Sequence, residues 1–143
     1  MAYAEKTTVP IEKTQMEIKK ILNKYQASSF GLAEGKGKAS IFFDMANRRF
    51  RFDLPLPPSP SEKATAASIR TYDQICRSRW RSLLLGIKAK LECVDSGITT
   101  LEKEFLAHVV LPDGSTVGDS IAPQLVHSYE TKEMPPLLGW GGA

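Results

Sequence analysis

The sequence predicts an α+β fold: an N-terminal helix, a three-stranded antiparallel sheet, one long amphipathic helix and a helical C-terminal portion. Three observations carry this reading. Two stretches on either side of Ala46-Asn47-Arg48 alternate, Ile41, Phe43 and Met45 against Ser40, Phe42 and Asp44, then Phe50, Phe52 and Leu54 against Arg49, Arg51 and Asp53, the period of half-buried strands. Apolar positions from Ile69 to Val94 step by threes and fours, the period of a core-facing helix. Between them, Leu54-Pro55-Leu56-Pro57-Pro58-Ser59-Pro60 breaks both patterns, because its prolines fix φ and remove backbone donors. A chain of 143 residues with 42% hydrophobic content supports one self-sufficient core. Residues 1–134 are therefore read as a single domain and 135–143 as a flexible tail that Leu137 and Trp140 could anchor.

The first helix is placed over Thr8–Tyr25, with Pro10 in its opening turn and an imperfect apolar face of Ile11, Met16, Ile18, Ile21, Leu22 and Tyr25. Lys13, Lys19, Lys20 and Lys24 then decorate a solvated outer face. A short strand at Ser29–Ala33 follows, joined through Glu34-Gly35-Lys36-Gly37-Lys38 to a hairpin. In that hairpin Ile41, Phe43 and Met45 point one way, as do Phe50, Phe52 and Leu54, and the chain reverses at Ala46-Asn47-Arg48. The opposite face carries Arg49 and Arg51. After the stiff proline connector, a long helix is expected over Ser61–Asp95, with Ser61 as N-cap and Gly97 as terminator. Gly86 in its interior marks a close crossing with another element. Thr99 and Glu102 stand in a capping-box relation, so a third helix should bury Leu101, Phe105, Leu106 and Val109 and stop at Pro112-Asp113-Gly114. Thr116 and Asp119 open a short last helix containing Ile121, Leu125, Val126 and Tyr129, which Pro123 should bend.

Charge is unevenly distributed along the chain. Residues 1–60 hold ten Lys/Arg against six Asp/Glu, residues 61–97 seven against four, and residues 98–143 two against six. A basic N-terminal portion of +7 thus precedes an acidic portion of −4. This asymmetry permits a phosphate-binding face, and equally an acidic patch that pairs with a second copy or with a basic protein. No stretch approaches the roughly 20 apolar residues of a membrane span, and the charged N-terminus lacks the apolar centre of a signal peptide. A cytoplasmic protein without membrane contact is expected.

Known catalytic patterns fit poorly. The stretch Gly31 to Lys38 is glycine-rich and basic but has neither P-loop nor dinucleotide-fingerprint spacing, so it reads as a hairpin turn. Glu17, Glu34, Asp44 and Asp53 do not follow the order of a metal-dependent nuclease. Neither His108 nor His127 has a nucleophile partner, and His108 reads as a core or helix-end histidine. Cys76 and Cys93 lie about 25 Å apart along one helix, which excludes an intramolecular disulfide, and no metal-ligand spacing is present. The expectation is a non-enzymatic protein with no metal or cofactor.

The basic side chains offer a binding surface instead. Lys63, Arg70, Arg77, Arg81 and Lys88 fall on one line of the long helix, at about 100° per residue, beside its apolar line. With Lys36 and Lys38 on the turn and Arg48, Arg49 and Arg51 on the hairpin, they would form one band if the helix crosses the sheet's edge. Guanidinium groups suit phosphate because their fork engages two oxygens. Nucleic acid, DNA ahead of RNA, is therefore the leading partner, held at Lys36, Lys38, Arg48, Arg49, Arg51, Arg70, Arg77, Arg81 and Lys88. The alternative is a protein-interaction module, an inhibitor or adaptor that binds a host defence or replication protein. The order helix, three strands, helix also resembles double-stranded RNA-binding domains, but Ser61-Glu62-Lys63-Ala64-Thr65 lacks their lysine cluster, so this likeness implies topology only.

A second likeness extends over most of the chain. Residues 77–92 (RSRWRSLLLGIKAKLE), 104–119 (EFLAHVVLPDGSTVGD) and 133–138 (EMPPLL) resemble a family of small proteins encoded by phages and prophage regions. That family has no assigned activity, so the resemblance gives no residue a role. It implies a bacterial host cytoplasm and an action on DNA or on a host protein, which includes phage replication and recombination.

Overall fold

A computed structural model describes residues 4–138 and has the expected α+β architecture. Helix α1 spans Ile11–Lys24, and strands β1 (Ser29–Gly35), β2 (Lys38–Met45) and β3 (Arg48–Pro55) follow as an antiparallel meander in the order β1-β2-β3. Helix α2 covers Ala66–Asp95, a short helix α3 covers Leu101–Glu104, a single 3₁₀ turn spans Leu106–His108, and α4 runs Val117–Thr131.

Register is fixed by two tight turns and by the apolar alternation. Phe43 pairs with Phe30 on one side and Phe50 on the other, and Ile41 pairs with Phe52. At the second turn Ala46 and Asn47 both have positive φ, 52° and 61°, the primed geometry that matches strand twist. Arg48 therefore belongs to β3, opposite Met45, and is not part of the turn. The first strand continues to Gly35, so the predicted five-residue turn shrinks to Lys36-Gly37, where Gly37 takes φ +68°.

One sheet face is the core. Ala39, Ile41, Phe43, Met45, Phe50, Phe52 and Leu54 project from it against Ile18 and Leu22 of α1 and Trp80, Leu84, Ile87 and Leu91 of α2. The two helices lie side by side and parallel: Gln74 Nε2 donates to the carbonyls of Glu5 and Thr7, Arg81 meets Glu17, and Lys88 shares a groove with Lys24. Phe105 closes the core from the C-terminal side, its ring edge-on to Phe43, Phe50 and Phe52. Beyond it, Val110 N–H donates to the Arg49 carbonyl and Val109 bridges Phe50, so the chain covers part of β3's outer edge. The outer edge of β1 has no strand beside it among the described residues.

Several boundaries differ from the sequence reading for identifiable reasons. Helix α2 starts at Ala66 because Thr65, and not Ser61, accepts the Ser68 N–H as N-cap. Lys63 thus precedes the helix and leaves the basic row. Ile69 is exposed, since the core reaches α2 only from Cys76 onward. Met16 points outward, whereas Thr14, polar by type, is fully buried. A Cβ at Gly86 would meet open space, so this glycine makes no close crossing. Thr100 caps α3 through the Lys103 N–H in place of Thr99, and Leu106 stays half exposed while Phe105 is buried. Thr116 caps α4 by accepting from Asp119 N–H, and Pro123 sits inside the continuous helix. Cys76 and Cys93 are free thiols. Of the predicted tail, Pro135–Leu138 lie within the described residues and Trp140 lies outside them.

Candidate nucleic-acid interface

Helix geometry and sheet alternation together decide where each basic side chain goes, and they divide the predicted band into separate groups. The two sheet turns lie at opposite ends of β2. At roughly 3.4 Å per residue, its eight residues separate Lys36 and Lys38 from Arg48 by about 25 Å. Both lysines are exposed, Lys36 in the turn and Lys38 at the start of β2, and the turn is tied to the proline connector through Leu56 N–H donating to the Gly37 carbonyl at 2.9 Å.

The hairpin arginines are held within the protein. Arg49 binds Asp44 in a fork, with Nε 2.8 Å and Nη2 3.0 Å from the two carboxylate oxygens. This contact, helped by the Ser29 hydroxyl, lowers the Asp44 pKa to about 2. Arg51 lies 3.2 Å from Asp53, donates to the Gly114 carbonyl at 2.6 Å, and comes within 4.0 Å of Asp119. Arg48 reaches Glu102 at 3.5 Å. Arg48 and Arg51 thus bind the acidic C-terminal portion to the sheet, a structural use of their charge. Arg49 and Arg51 stand on the sheet face away from the core, so the thickness of the sheet and its core separates them from α2's basic row.

That row meets a second one. Arg70, Gln74, Arg77, Arg81 and Lys88 share the flank of α2 that faces α1 and the segment before it, as the Gln74 and Arg81 contacts fix. On α1, Lys13, Glu17, Lys20 and Lys24 repeat by four, three and four, which sets them on one flank. Because Glu17 bonds Arg81 at 2.7 Å, this is the flank beside α2. Lys24 and Lys88 border the same surface groove with Ile21, Tyr25 and Leu91. Lys19 points away, toward Met16, Phe30 and Leu32.

The α1–α2 seam therefore carries Lys13, Lys20 and Lys24 from one helix and Arg77, Arg81 and Lys88 from the other. Glu17, Glu92 and Asp95 are acids beside it, the last two close to Tyr25 at its far end. Lys13, Lys20, Lys24, Arg70 and Lys88 make no ion pair among the described residues. Arg77 Nη2 donates to the side-chain amide oxygen Oε1 of Gln74 at 2.7 Å, and its buried Nε has no partner among the described residues. From the sequence alone the lysines of α1 read as an ordinary solvated face; the signal that finds them is the four-three-four spacing of Lys13, Glu17, Lys20 and Lys24, taken together with the matching row on α2.

The remaining polar candidates take structural positions. His108 stacks on Phe52 with ring centroids 3.8 Å apart. Burial lowers its pKa, and the Lys90 ammonium acts in the same direction, against weaker opposing pulls from an Arg51 backbone contact, Asp53 and Asp119. His127 is exposed and meets Glu133 at 3.3 Å. Among the described residues no group of three metal-ligating side chains converges, and no helix is long and apolar enough to cross a membrane. Comparison with protein-family models, curated proteins and solved structures finds no match to this chain.

Proposed function

We propose that the protein is a non-enzymatic nucleic-acid-binding accessory protein that grips backbone phosphates along the α1–α2 seam, acting in phage DNA replication or recombination. The observation that carries this reading is the pairing of two cationic rows across one seam, with six of the lysines and arginines on or next to it (Lys13, Lys20, Lys24, Arg70, Arg77 and Lys88) free of ion pairs among the described residues. From Lys13 to Lys24 the row extends about 16 Å at 1.5 Å per residue, room for several successive phosphates. The binding is sequence-independent, since phosphate contacts fix register and carry no base information.

The test is fluorescence polarisation with single-stranded DNA, duplex DNA and RNA at low and physiological salt. For about five neutralised phosphates, log K should fall against log salt with a slope near −4.5 on duplex and about −3.5 on a single strand. The triple variant Lys13→Glu, Lys20→Glu, Lys24→Glu changes only exposed side chains and should abolish binding, whereas Arg49→Ala should leave it intact. Absence of binding to all three probes at low salt refutes the reading. Equal loss from Arg49→Ala moves the site to the sheet. The second reading, an inhibitor or adaptor for a host protein, draws its support from the C-terminal helix, where Leu125, Val126 and Tyr129 are exposed.

A further inference from the structure

Of the sheet's two edges, that of β3 is partly covered by Val109 and Val110, whereas that of β1 has no strand beside it among the described residues. Leu56 N–H donates to the Gly37 carbonyl in line with the β2–β3 ladder, which turns odd-numbered residues of β2 toward β3 and even-numbered ones toward β1. Ser29, Gly31, Ala33 and Gly35 face those even-numbered residues and spend their N–H and C=O on them. Phe30, Leu32 and Glu34 therefore hold three donors and three acceptors toward the open side. Folded proteins blunt such an edge with proline or lysine. Ser29–Gly35 has neither, and Glu34 is its sole charge. A groove runs beside the edge, with Phe30 and Leu32 on one wall and Met16 of α1 on the other; Leu32 is 43% exposed and Met16 67%. Glu12, Gln15 and Lys19 complete the helix side, so the stripe is spaced i, i+3, i+4 and i+7. Neither Glu12 nor Lys19 has an ion pair among the described residues.

A second copy of the chain fits this edge in backbone, shape and charge. Antiparallel pairing of β1 with itself about a two-fold axis at Leu32, the middle residue of the strand, sets Leu32 opposite Leu32 and Phe30 opposite Glu34. Every open N–H and C=O of Phe30, Leu32 and Glu34 then finds a partner in both copies. On the outer face Ser29 meets Gly35 and Gly31 meets Ala33, all small and uncharged. On the groove side the same axis lays the two α1 stripes antiparallel, so that each Glu12 faces the second copy's Lys19 and each Gln15 the second copy's Met16. The link from α1 to β1 is only Tyr25–Ser28, which puts Lys19 at the Phe30 end of the groove. Glu34 of one copy, opposite Phe30 of the other, thus arrives at the Lys19 end as well. Opposite charges at every exchanged position select self-pairing. We infer that the β1 edge is the interface of a two-fold homodimer, in which two copies of the chain form one six-stranded antiparallel sheet. This goes beyond nucleic-acid binding and does not rest on it, because the edge lies on the flank of α1 away from the cationic seam.

The experiment follows the full chain by sedimentation velocity from micromolar to submillimolar concentration at low salt, where a reversible monomer–dimer equilibrium is expected. Leu32→Pro removes the central open N–H, a change that an edge strand tolerates, and should abolish the dimer. Glu12→Lys and Lys19→Glu each set like charges together twice per dimer and should weaken association about tenfold. An equimolar mixture of those two variants should recover it, since every mixed dimer has two opposite pairs. Amide hydrogen exchange supplies a second readout. Phe30, Leu32 and Glu34 should be protected only at concentrations where the dimer forms, while Gly31 and Ala33, bonded to β2, are protected throughout. Circular dichroism checks that each variant is folded; if Leu32→Pro is not, the charge variants and the exchange pattern decide. The inference is overturned by a monomer at every concentration, which would leave the edge to another protein's strand. It is equally overturned by a dimer in which the Phe30, Leu32 and Glu34 amides exchange freely, or by charge variants whose mixture associates no better than either alone.

Discussion

Replacing Phe105 by alanine should remove a large share of the protein's stability. The side chain has no solvent exposure, and its ring meets Phe43, Phe50 and Phe52 edge-on at centroid distances of 6.2, 5.7 and 5.9 Å. Truncating a buried phenylalanine costs about 3–5 kcal/mol through lost transfer energy and a residual cavity. Three aromatic contacts, each worth about 0.5–1.5 kcal/mol beyond buried area, place this site toward the upper end. Against a total of about 5–15 kcal/mol for a domain, the loss is a third or more. Urea unfolding followed by circular dichroism at neutral pH measures it, and the thermal midpoint should fall by roughly 10–15 °C. Phe105→Leu, which keeps most of the volume, should lose only about 1–1.5 kcal/mol. A loss below about 1 kcal/mol for Phe105→Ala, or equal losses for the two variants, would refute the view that this ring seats the C-terminal portion on the sheet.

Three further outcomes follow from the local chemistry. Because His108 has a folded pKa below its ordinary value of about 6.5, its contribution is complete above that value and is lost as pH falls through the lowered one. Urea midpoints at pH 7.5 and pH 5 should therefore drop further for the native chain than for His108→Gln, and identical drops count against this. Asp44, lowered to about 2, stabilises fully above about pH 4 and progressively less toward pH 2. As a largely solvated pair it is worth under about 1 kcal/mol, so the stability curves of the native chain and Asp44→Asn should differ slightly at pH 6 and merge near pH 2. Ala46 holds φ at 52°, where a Cβ costs about 1–2 kcal/mol, and Ala46→Gly should raise stability by about 0.5–1 kcal/mol after glycine's own entropy cost. A lower thermal midpoint for that variant would show that the turn is not strained.

Elements with one dominant period were legible in the sequence. The alternation of Ile41, Phe43 and Met45 against Phe50, Phe52 and Leu54 fixes both the hairpin and its buried face, and the three-and-four stepping from Cys76 to Leu91 fixes α2. Competition between equivalent local signals was harder to resolve. Ser61 and Thr65 can both cap a helix, as can Thr99 and Thr100, and the choice depends on packing some way along the chain. The basic row on α2 was visible in the spacing of its residues, but what faces it was not. Glu17 is 64 residues from Arg81, and Asp119 is 68 from Arg51; only the fold reveals that one arginine borders a cationic seam while the other is committed to an internal contact. The exposure of Leu125, Val126 and Tyr129 on α4 was hidden for the same reason. Apolar residues at helical spacing read as core until the position of the rest of the core is known.

The placement of the sheet's buried face before its covering helix sets the order in which the chain can close. Leu54 completes that face, whereas Trp80, Leu84, Ile87 and Leu91 arrive only as α2 is made. At about 5–20 residues per second, the gap from Leu54 to Leu91 is about 2–7 s of synthesis. Through that interval α1 alone shields Ile41, Phe43, Phe50 and Phe52, and the unpaired edge of β1 stands open beside them. The proline connector falls within the same interval; beyond Pro55, where β3 ends, it takes no part in the strand ladder and delays the chain's return across the sheet. A nascent chain of this protein therefore passes through a sticky, half-covered stage that Phe105 is the last aromatic residue to end.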